Sequence, residues 1–87
     1  MTEIFKVSGK SEPKLVAGAI AICIRNNQNI ELHAIGAAAV NQAVKSIALA
    51  RSFVAPEDIE LASFPSFLQL NFKDTETIGI VIAICKF

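Results

Sequence analysis

The chain of 87 residues has no tryptophan, no tyrosine and a single histidine, so it is poor in the side chains that most enzymes use. No serine or cysteine is accompanied in the sequence by a recognisable base and orienting group. The one histidine, His33, lies in a predicted strand, where a structural role is favoured over a catalytic one. We therefore predict that the protein has no catalytic residues and is not an enzyme.

Cysteine is also scarce, because the chain holds only Cys23 and Cys85, far apart in sequence. There is no C-x-x-C motif and no second metal ligand at a suitable spacing. We predict that both are reduced thiols buried in the core, since free cysteine behaves as a small hydrophobic side chain. The protein is expected to need neither a metal nor a cofactor.

Long hydrophobic runs are missing, and the longest one, residues 15–24, falls well short of the about 20 residues that span a bilayer. No membrane segment is predicted. The first ten residues, MTEIFKVSGK, place an acid where a signal peptide would have a basic stretch followed by an apolar block. A cytoplasmic location is therefore expected.

What the chain does have is a hydrophobic content of 53% with only 18% charged residues. That composition excludes disorder and favours one core, so residues 1–87 are predicted to form a single domain. A small chain cannot easily cover so much apolar surface by itself. We therefore expect self-association, as a homodimer or a higher homo-oligomer.

Charge is balanced overall but unevenly distributed along the chain. Residues 1–51 carry six basic and three acidic side chains, a net charge of +3, whereas residues 52–87 carry two basic and five acidic ones, a net charge of −3. A net charge of zero predicts modest affinity for nucleic acid, while the basic half can steer an anionic partner to one face.

Hydrophobic periodicity and breaker residues predict the order β-α-β-α-β-β. The strands are expected near 3–8, 30–35, 59–72 and 78–87, and the helices near 13–26 and 37–53. Pro13 suits a first helical position, with Ser11 or Glu12 as the cap. Pro65 is expected to interrupt the third strand, at an edge or a bulge. The last strand is apolar on both faces, which predicts an interior position.

The predicted fold class is therefore α/β, in a two-layer α+β arrangement with both helices on one face of the sheet and a C-terminal hairpin after a turn at 73–77. Strands 1 and 2 are expected to run parallel. The starts of the two helices would then lie at the same end of the sheet.

Two helix starts are the candidate anion-binding positions. The motif SGKSEPK places Lys10, Ser11 and Lys14 around the first one, where free N–H groups and the helix dipole favour a phosphate. Gly36 and three alanines open the second helix, with Asn41, Gln42 and Lys45 as polar extensions along it. Solvated surface lysines and tight helix-to-sheet packing are the alternative interpretations.

The segments KVSGKSEPKLVAGAIA (6–21) and AIGAAAVNQAVKSIALARSFVAP (34–56) resemble the stage V sporulation protein S family, and the resemblance covers essentially the whole chain. It implies the fold of the Alba nucleic-acid-binding proteins. Transferred to this sequence, the Alba pattern implies binding roles for Lys10, Ser11, Lys14, Gly36, Asn41 and Lys45. Gln42 matches the sporulation family rather than Alba.

The sequence is consistent with two functions. The first is a dimeric nucleic-acid-binding or regulatory protein, acting on DNA or RNA through its phosphate backbone, as the resemblance and the basic first half indicate. The second is a protein-interaction or assembly module on the same scaffold. Zero net charge and an acidic hairpin tip at residues 73–76 favour that second interpretation.

Overall fold

The computed structural model describes residues 2–72 and 75–87, with side chains for 2–69 and 78–87. Its elements are β1 (Thr2–Val7), α1 (Pro13–Arg25), β2 (Asn29–Ala34), α2 (Ala37–Val54), β3 (Leu61–Phe72) and β4 (Thr75–Lys86). A short 3₁₀ turn, Ala55–Glu57, joins α2 to β3. The predicted order of helices and strands is confirmed. No helix in the described part of the chain has the length and hydropathy needed to cross a membrane.

The four strands form one sheet in the order β1-β2-β4-β3. β1 and β2 run parallel, as predicted, and the other neighbouring pairs are antiparallel. β4 occupies an interior position between β2 and β3, which its apolar residues on both faces require. Of the predicted turn at 73–77, residues 73 and 74 lie outside the described residues, and 75–77 belong to β4.

Pro65 does not interrupt β3, so that part of the prediction was wrong. The strand runs unbroken from Leu61 to Phe72, and Pro65 stays in register opposite Ile82. The edge position was predicted correctly, because β3 is the last strand of the sheet. An edge strand tolerates proline wherever the missing N–H would point away from the neighbouring strand.

The helix α1 begins at Pro13, and Glu12, one of the two predicted caps, occupies its N-cap position, although the Glu12 side chain forms no capping hydrogen bond. Instead, the backbone carbonyl of Glu12 accepts hydrogen bonds from the N–H groups of Leu15 and Val16. The helix ends at Arg25, one residue earlier than predicted. The polar run that follows contains Asn27 in the left-handed conformation, which asparagine adopts more readily than most residues.

The core lies between the helices and one face of the sheet. Its largest fully buried apolar side chains are Ile20, Ile24, Ile30, Leu32, Val54 and Ile84. α2 contributes mainly small residues, and its buried Ser46 donates a hydrogen bond to the carbonyl of Gln42 at 2.7 Å. Val44, predicted to lie in the core, is 53% exposed. None of the helices in the described part of the chain covers the opposite face of the sheet.

The two cysteines differ in environment. Cys23 is buried, as predicted, and burial raises the pKa of its thiol, with the nearby charge of Glu3 adding to that effect. Cys85 is only half-buried, so its predicted place in the core was wrong. It lies in β4 one residue from the core residue Ile84, and alternation along a strand turns it to the uncovered face.

Candidate nucleic-acid interface

The loop between β1 and α1, residues 8–12, is closed by hydrogen bonds between its two serines. The N–H of Ser8 donates to Oγ of Ser11 at 2.9 Å, and the N–H of Ser11 donates to the carbonyl of Ser8 at 3.1 Å. The N–H of Lys10 donates to Oγ of Ser8 at 3.1 Å. The N–H groups of Ser8, Lys10 and Ser11 are thereby satisfied within the loop, and the side chain of Lys10 is exposed.

Two contacts hold this loop against the start of α2. A Cβ added to Gly9 would lie 2.9 Å from Cβ of Ala38, so only glycine allows this approach. Further along α2, Nε2 of Gln42 donates to the carbonyl of Ser11 at 2.9 Å. The two segments predicted as anion-binding are therefore adjacent in the fold. The hydrogen bond between Gln42 and Ser11 joins the two segments.

The start of α2 is open to solvent. Gly36 has φ 92° and ψ 157°, a backbone conformation that favours glycine, and its carbonyl accepts the first helical hydrogen bond from Val40 at 3.0 Å. Within the described residues, no side chain caps this helix start. Gly36, Ala37 and Ala38 are exposed, so the first amides of α2 are accessible to an anion.

Positive charge is distributed in two distinct ways. Nη2 of Arg25 lies 2.8 Å from a carboxylate oxygen of Glu57, and Nε of Arg51 lies 2.7 Å from one of Glu60. The ammonium of Lys86 donates to Asn27 at 2.7 Å. By contrast, the exposed side chains of four lysines have no ion pair or hydrogen bond among the described residues: Lys6, Lys10, Lys14 and Lys45.

Asn41 and Lys45 are exposed one turn apart on α2, and both are free to contact a ligand. Lys14 is exposed in the first turn of α1. Sequence reasoning missed Gly9, whose lack of a side chain permits the docking of the loop, and Lys6, the fourth free lysine. The serine pair that flanks Gly9, three residues apart, was the available signal for this local turn.

The Arg51–Glu60 pair perturbs both of its members. The hydrogen bond from Arg51, with a further one from the N–H of Leu61, lowers the pKa of Glu60 from 4.5 to about 2. The same contact raises the pKa of Arg51. Both side chains are about half exposed, so this pair is a surface feature. No cluster of three potential metal ligands occurs within residues 2–72 and 75–87 as described.

A second surface feature is an apolar groove between α2 and the β3–β4 pair. It has a volume of about 530 Å³ and is lined mainly by Val44, Ile47, Ala48, Pro65, Ile80 and Ile82. Further along the same two strands, Phe67 is 81% exposed and Ile78 is 60% exposed. Large apolar side chains this accessible on one side of a small protein are typical of an interaction surface.

The fold is similar to that of the protein described as Alba from Thermoplasma volcanium, with a TM-score of 0.65 and 21% sequence identity. The match covers 95% of this chain and 99% of the Alba chain, so the two share their whole architecture. The family model of stage V sporulation protein S matches residues 3–87. The chain therefore belongs to the stage V sporulation protein S family.

Proposed function

We propose that this chain is a non-catalytic nucleic-acid-binding or regulatory protein that contacts the phosphate backbone through the 8–12 loop and the first half of α2. The observation that carries the proposal is the set of unpaired lysines around that loop, in a molecule whose arginines are both neutralised. Lys10, Lys14 and Lys45 would each contact a phosphate. Membership of an Alba-like family supports the same conclusion.

The remaining predicted residues have supporting roles in this proposal. Ser11 and Gln42 keep the loop against α2 through their 2.9 Å hydrogen bond. Gly36 leaves the first amides of α2 accessible, and Asn41 supplies an exposed amide beside Lys45. Contacts of this kind recognise phosphate and sugar rather than base sequence.

A salt titration tests the proposal directly. Affinity would be measured by fluorescence anisotropy for generic duplex DNA, single-stranded DNA and RNA over a range of salt concentrations. Three lysine–phosphate contacts should give a slope of about −2.7 in log K against log salt for the duplex, or about −2.1 for a single strand. Because the net charge is zero, measurable binding is expected mainly at low salt. No binding of any nucleic acid at low salt would reject the proposal.

We also propose that the protein acts as a homodimer joined through the apolar groove. The chain exposes 5648 Å², whereas a compact monomer of 9.3 kDa is expected to expose about 5000 Å². Large apolar side chains are exposed in the groove, at Val44, and on the strands beyond it, at Phe67 and Ile78. A two-fold pairing would place the β3–β4 pair of one copy against α2 of the other.

Sedimentation equilibrium tests this assembly. Wild type should sediment at twice the chain mass of 9.3 kDa, and Val44→Asp should sediment as a monomer because it places a charge in the groove. Leu15→Asp is the matched control, since Leu15 is an even more exposed apolar helix residue, at 71%, but lies outside the groove. Monomeric wild type at micromolar concentration would contradict the proposal.

The second candidate function is a protein-interaction or assembly module. The zero net charge and the apolar groove favour it, because a groove of this kind also suits an apolar segment of another protein. The two candidates separate in the salt titration. A folded, self-associating wild type that binds no nucleic acid at low salt would favour the interaction module.

A further inference from the structure

A pocket of about 400 Å³ opens on the uncovered face of the sheet, beside the 8–12 loop. This corner pocket is lined by Lys6, Val7, Ser8, Gly9, His33, Ile35 and Leu68. It lies at the carboxyl ends of the parallel strands β1 and β2. Its rim therefore includes the start of the loop that carries Lys10.

The chemistry of the corner pocket is apolar with a few cationic or polar groups, which is typical of a ligand site. Ile35 and Leu68 supply apolar contact surface, while His33 supplies a flat ring. Nε2 of His33 lies 3.0 Å from a carboxylate oxygen of Glu31 on the same strand, and this contact fixes the orientation of the ring. Because the carboxylate accepts from Nε2–H, the negative charge of Glu31 is engaged by His33.

Free positive charge stands next to these apolar groups. Lys6 is paired in register with His33 on the adjacent strand, and its ammonium has no partner among the described residues. Lys10 follows one residue after Gly9, also unpaired. The pocket therefore combines an apolar, partly aromatic lining with one lysine, Lys6, and an exposed second lysine, Lys10, follows directly after its lining residue Gly9. This arrangement suits a ligand with a flat, weakly polar ring and an anionic group.

We propose that the corner pocket receives one unstacked base of a single-stranded nucleic acid, whose flanking phosphates contact Lys6 and Lys10. The inference rests on the proposed nucleic-acid function and extends it from backbone contacts to a preference for single strands. In a duplex, the bases are stacked and paired, so none can enter the pocket. The proposed dimer groove lies on the helix side of the sheet, which leaves the corner pocket open in the dimer.

The test compares three probes of equal length: a thymidine oligonucleotide, an abasic strand with the same phosphates but no bases, and a duplex. Anisotropy titrations at one salt concentration should show wild type binding the thymidine strand at least about fivefold more tightly than the abasic strand, the gain expected from stacking one base. The salt slopes for these two single strands should be equal, because their phosphate contacts are the same.

Two variants test whether the pocket causes the difference in affinity between the thymidine strand and the abasic strand. His33→Ala and Leu68→Ala should each bring the thymidine-to-abasic ratio towards one and leave duplex binding unchanged. Ile4→Ala is the matched control, because Ile4 is exposed on the same face but does not line the pocket, and its ratio should equal that of wild type. Thermal midpoints of all three variants would confirm that they are folded.

The outcomes are distinct. Equal wild-type affinity for thymidine and abasic strands would overturn the base pocket while leaving the phosphate surface in place, and that comparison needs no variant. Variants that lose duplex and single-strand binding to the same degree would also overturn it. Failure of all three probes to bind at low salt would overturn both the pocket and the proposed function.

Discussion

Basic side chains are paired at the C-terminal ends of the two helices and unpaired at the N-terminal end of α1. At the C-terminal ends, Arg25 and Arg51 lie in the last turns of α1 and α2, where each forms an ion pair with a glutamate. At the N-terminal ends, the first turns contain no acidic residue, and Lys14 lies in the first turn of α1 without a partner.

The helix dipole explains why paired arginines at one end of a helix differ energetically from an unpaired lysine at the other. Cations are stabilising near the C-terminus of a helix and unfavourable near the N-terminus, by about 0.3–1 kcal/mol at exposed positions. Arg25 and Arg51 therefore lie where the dipole favours a cation. An unpaired lysine at a helix start opposes the dipole, and it becomes favourable there when an external anion is bound. An anionic ligand is therefore expected at the N-terminal ends of the helices.

Removing the three free lysines at the loop and on the helices, Lys10, Lys14 and Lys45, should produce the largest effect. The triple variant Lys10→Ala, Lys14→Ala and Lys45→Ala should lose most nucleic-acid affinity at low salt, and its salt slope should fall by about one unit per lysine. Each change should alter the free energy of unfolding by no more than about 0.5 kcal/mol, because the side chains are exposed. Anisotropy titration and urea denaturation measure the two effects separately.

Lys86→Ala is the control for the triple variant, since the ammonium of Lys86 is engaged by Asn27, away from the loop. It should bind nucleic acid as wild type does. If the triple variant kept wild-type affinity and slope, Lys10, Lys14 and Lys45 would have no part in binding.

The second effect concerns the docking of the loop. Gly9→Ala adds a methyl group 2.9 Å from Cβ of Ala38, an atom fixed by the helix backbone, so the loop must move away from α2. Unfolding free energy should fall by about 1–3 kcal/mol, as for other overpacked sites, and nucleic-acid affinity should fall with it.

Gly18→Ala is the matched substitution, because a Cβ at Gly18 meets no atom within 4 Å. Alanine in place of a mid-helix glycine should raise the free energy of unfolding by roughly 0.5–1 kcal/mol. If Gly9→Ala were as stable as wild type in the same denaturation experiment, the close contact with Ala38 would not constrain the loop.

A smaller effect tests the cost of a lysine at a helix start. Lys14→Gln should raise the free energy of unfolding by a few tenths of a kcal/mol, near the lower limit of the roughly 0.3–1 kcal/mol dipole effect, while it weakens nucleic-acid binding. Lys45→Gln, in the interior of α2, should weaken binding without the gain in stability. A loss of stability in Lys14→Gln would contradict the assigned role of the dipole.

The smallest expected effect concerns the ion pair between Arg51 and Glu60 at the C-terminal end of α2. The pKa of Glu60 in the folded protein, about 2, lies below its ordinary value of 4.5, so its ion pair contributes stability above pH 4.5 that is lost as pH falls towards 2. Glu60→Gln should show a shallower decrease in thermal midpoint across that window than wild type. Identical decreases in the two proteins would mean that the exposed pair with Arg51 adds nothing to stability.

Much of the fold is predictable from the residue pattern because its periodicities are strong. The alternation of isoleucines with small apolar residues from Ile78 to Cys85 predicted an interior strand, and Pro13 and Gly36 marked the helix starts. The continuity of β3 through Pro65 was missed, since the sequence does not show which backbone N–H groups a neighbouring strand needs. The exposure of Val44 was missed because helical spacing identifies the apolar face of α2 but does not show how much of that face the sheet and the other helix cover.

For the candidate site, residue types alone pointed to Lys10, Lys14 and Lys45 as exposed cations and to Gly36 as a position without a side chain. Whether a cation is free depends on partners that are distant in sequence, such as Glu57, which lies 32 residues from Arg25.

The sequence by itself determined the order of elements, the two-layer architecture and the excess of apolar surface, because these follow from local periodicity and composition. Only the tertiary structure decided which charges are neutralised, that Gln42 holds the loop at Ser11, and that a pocket opens beside His33. Each of these depends on distances between residues far apart in the chain.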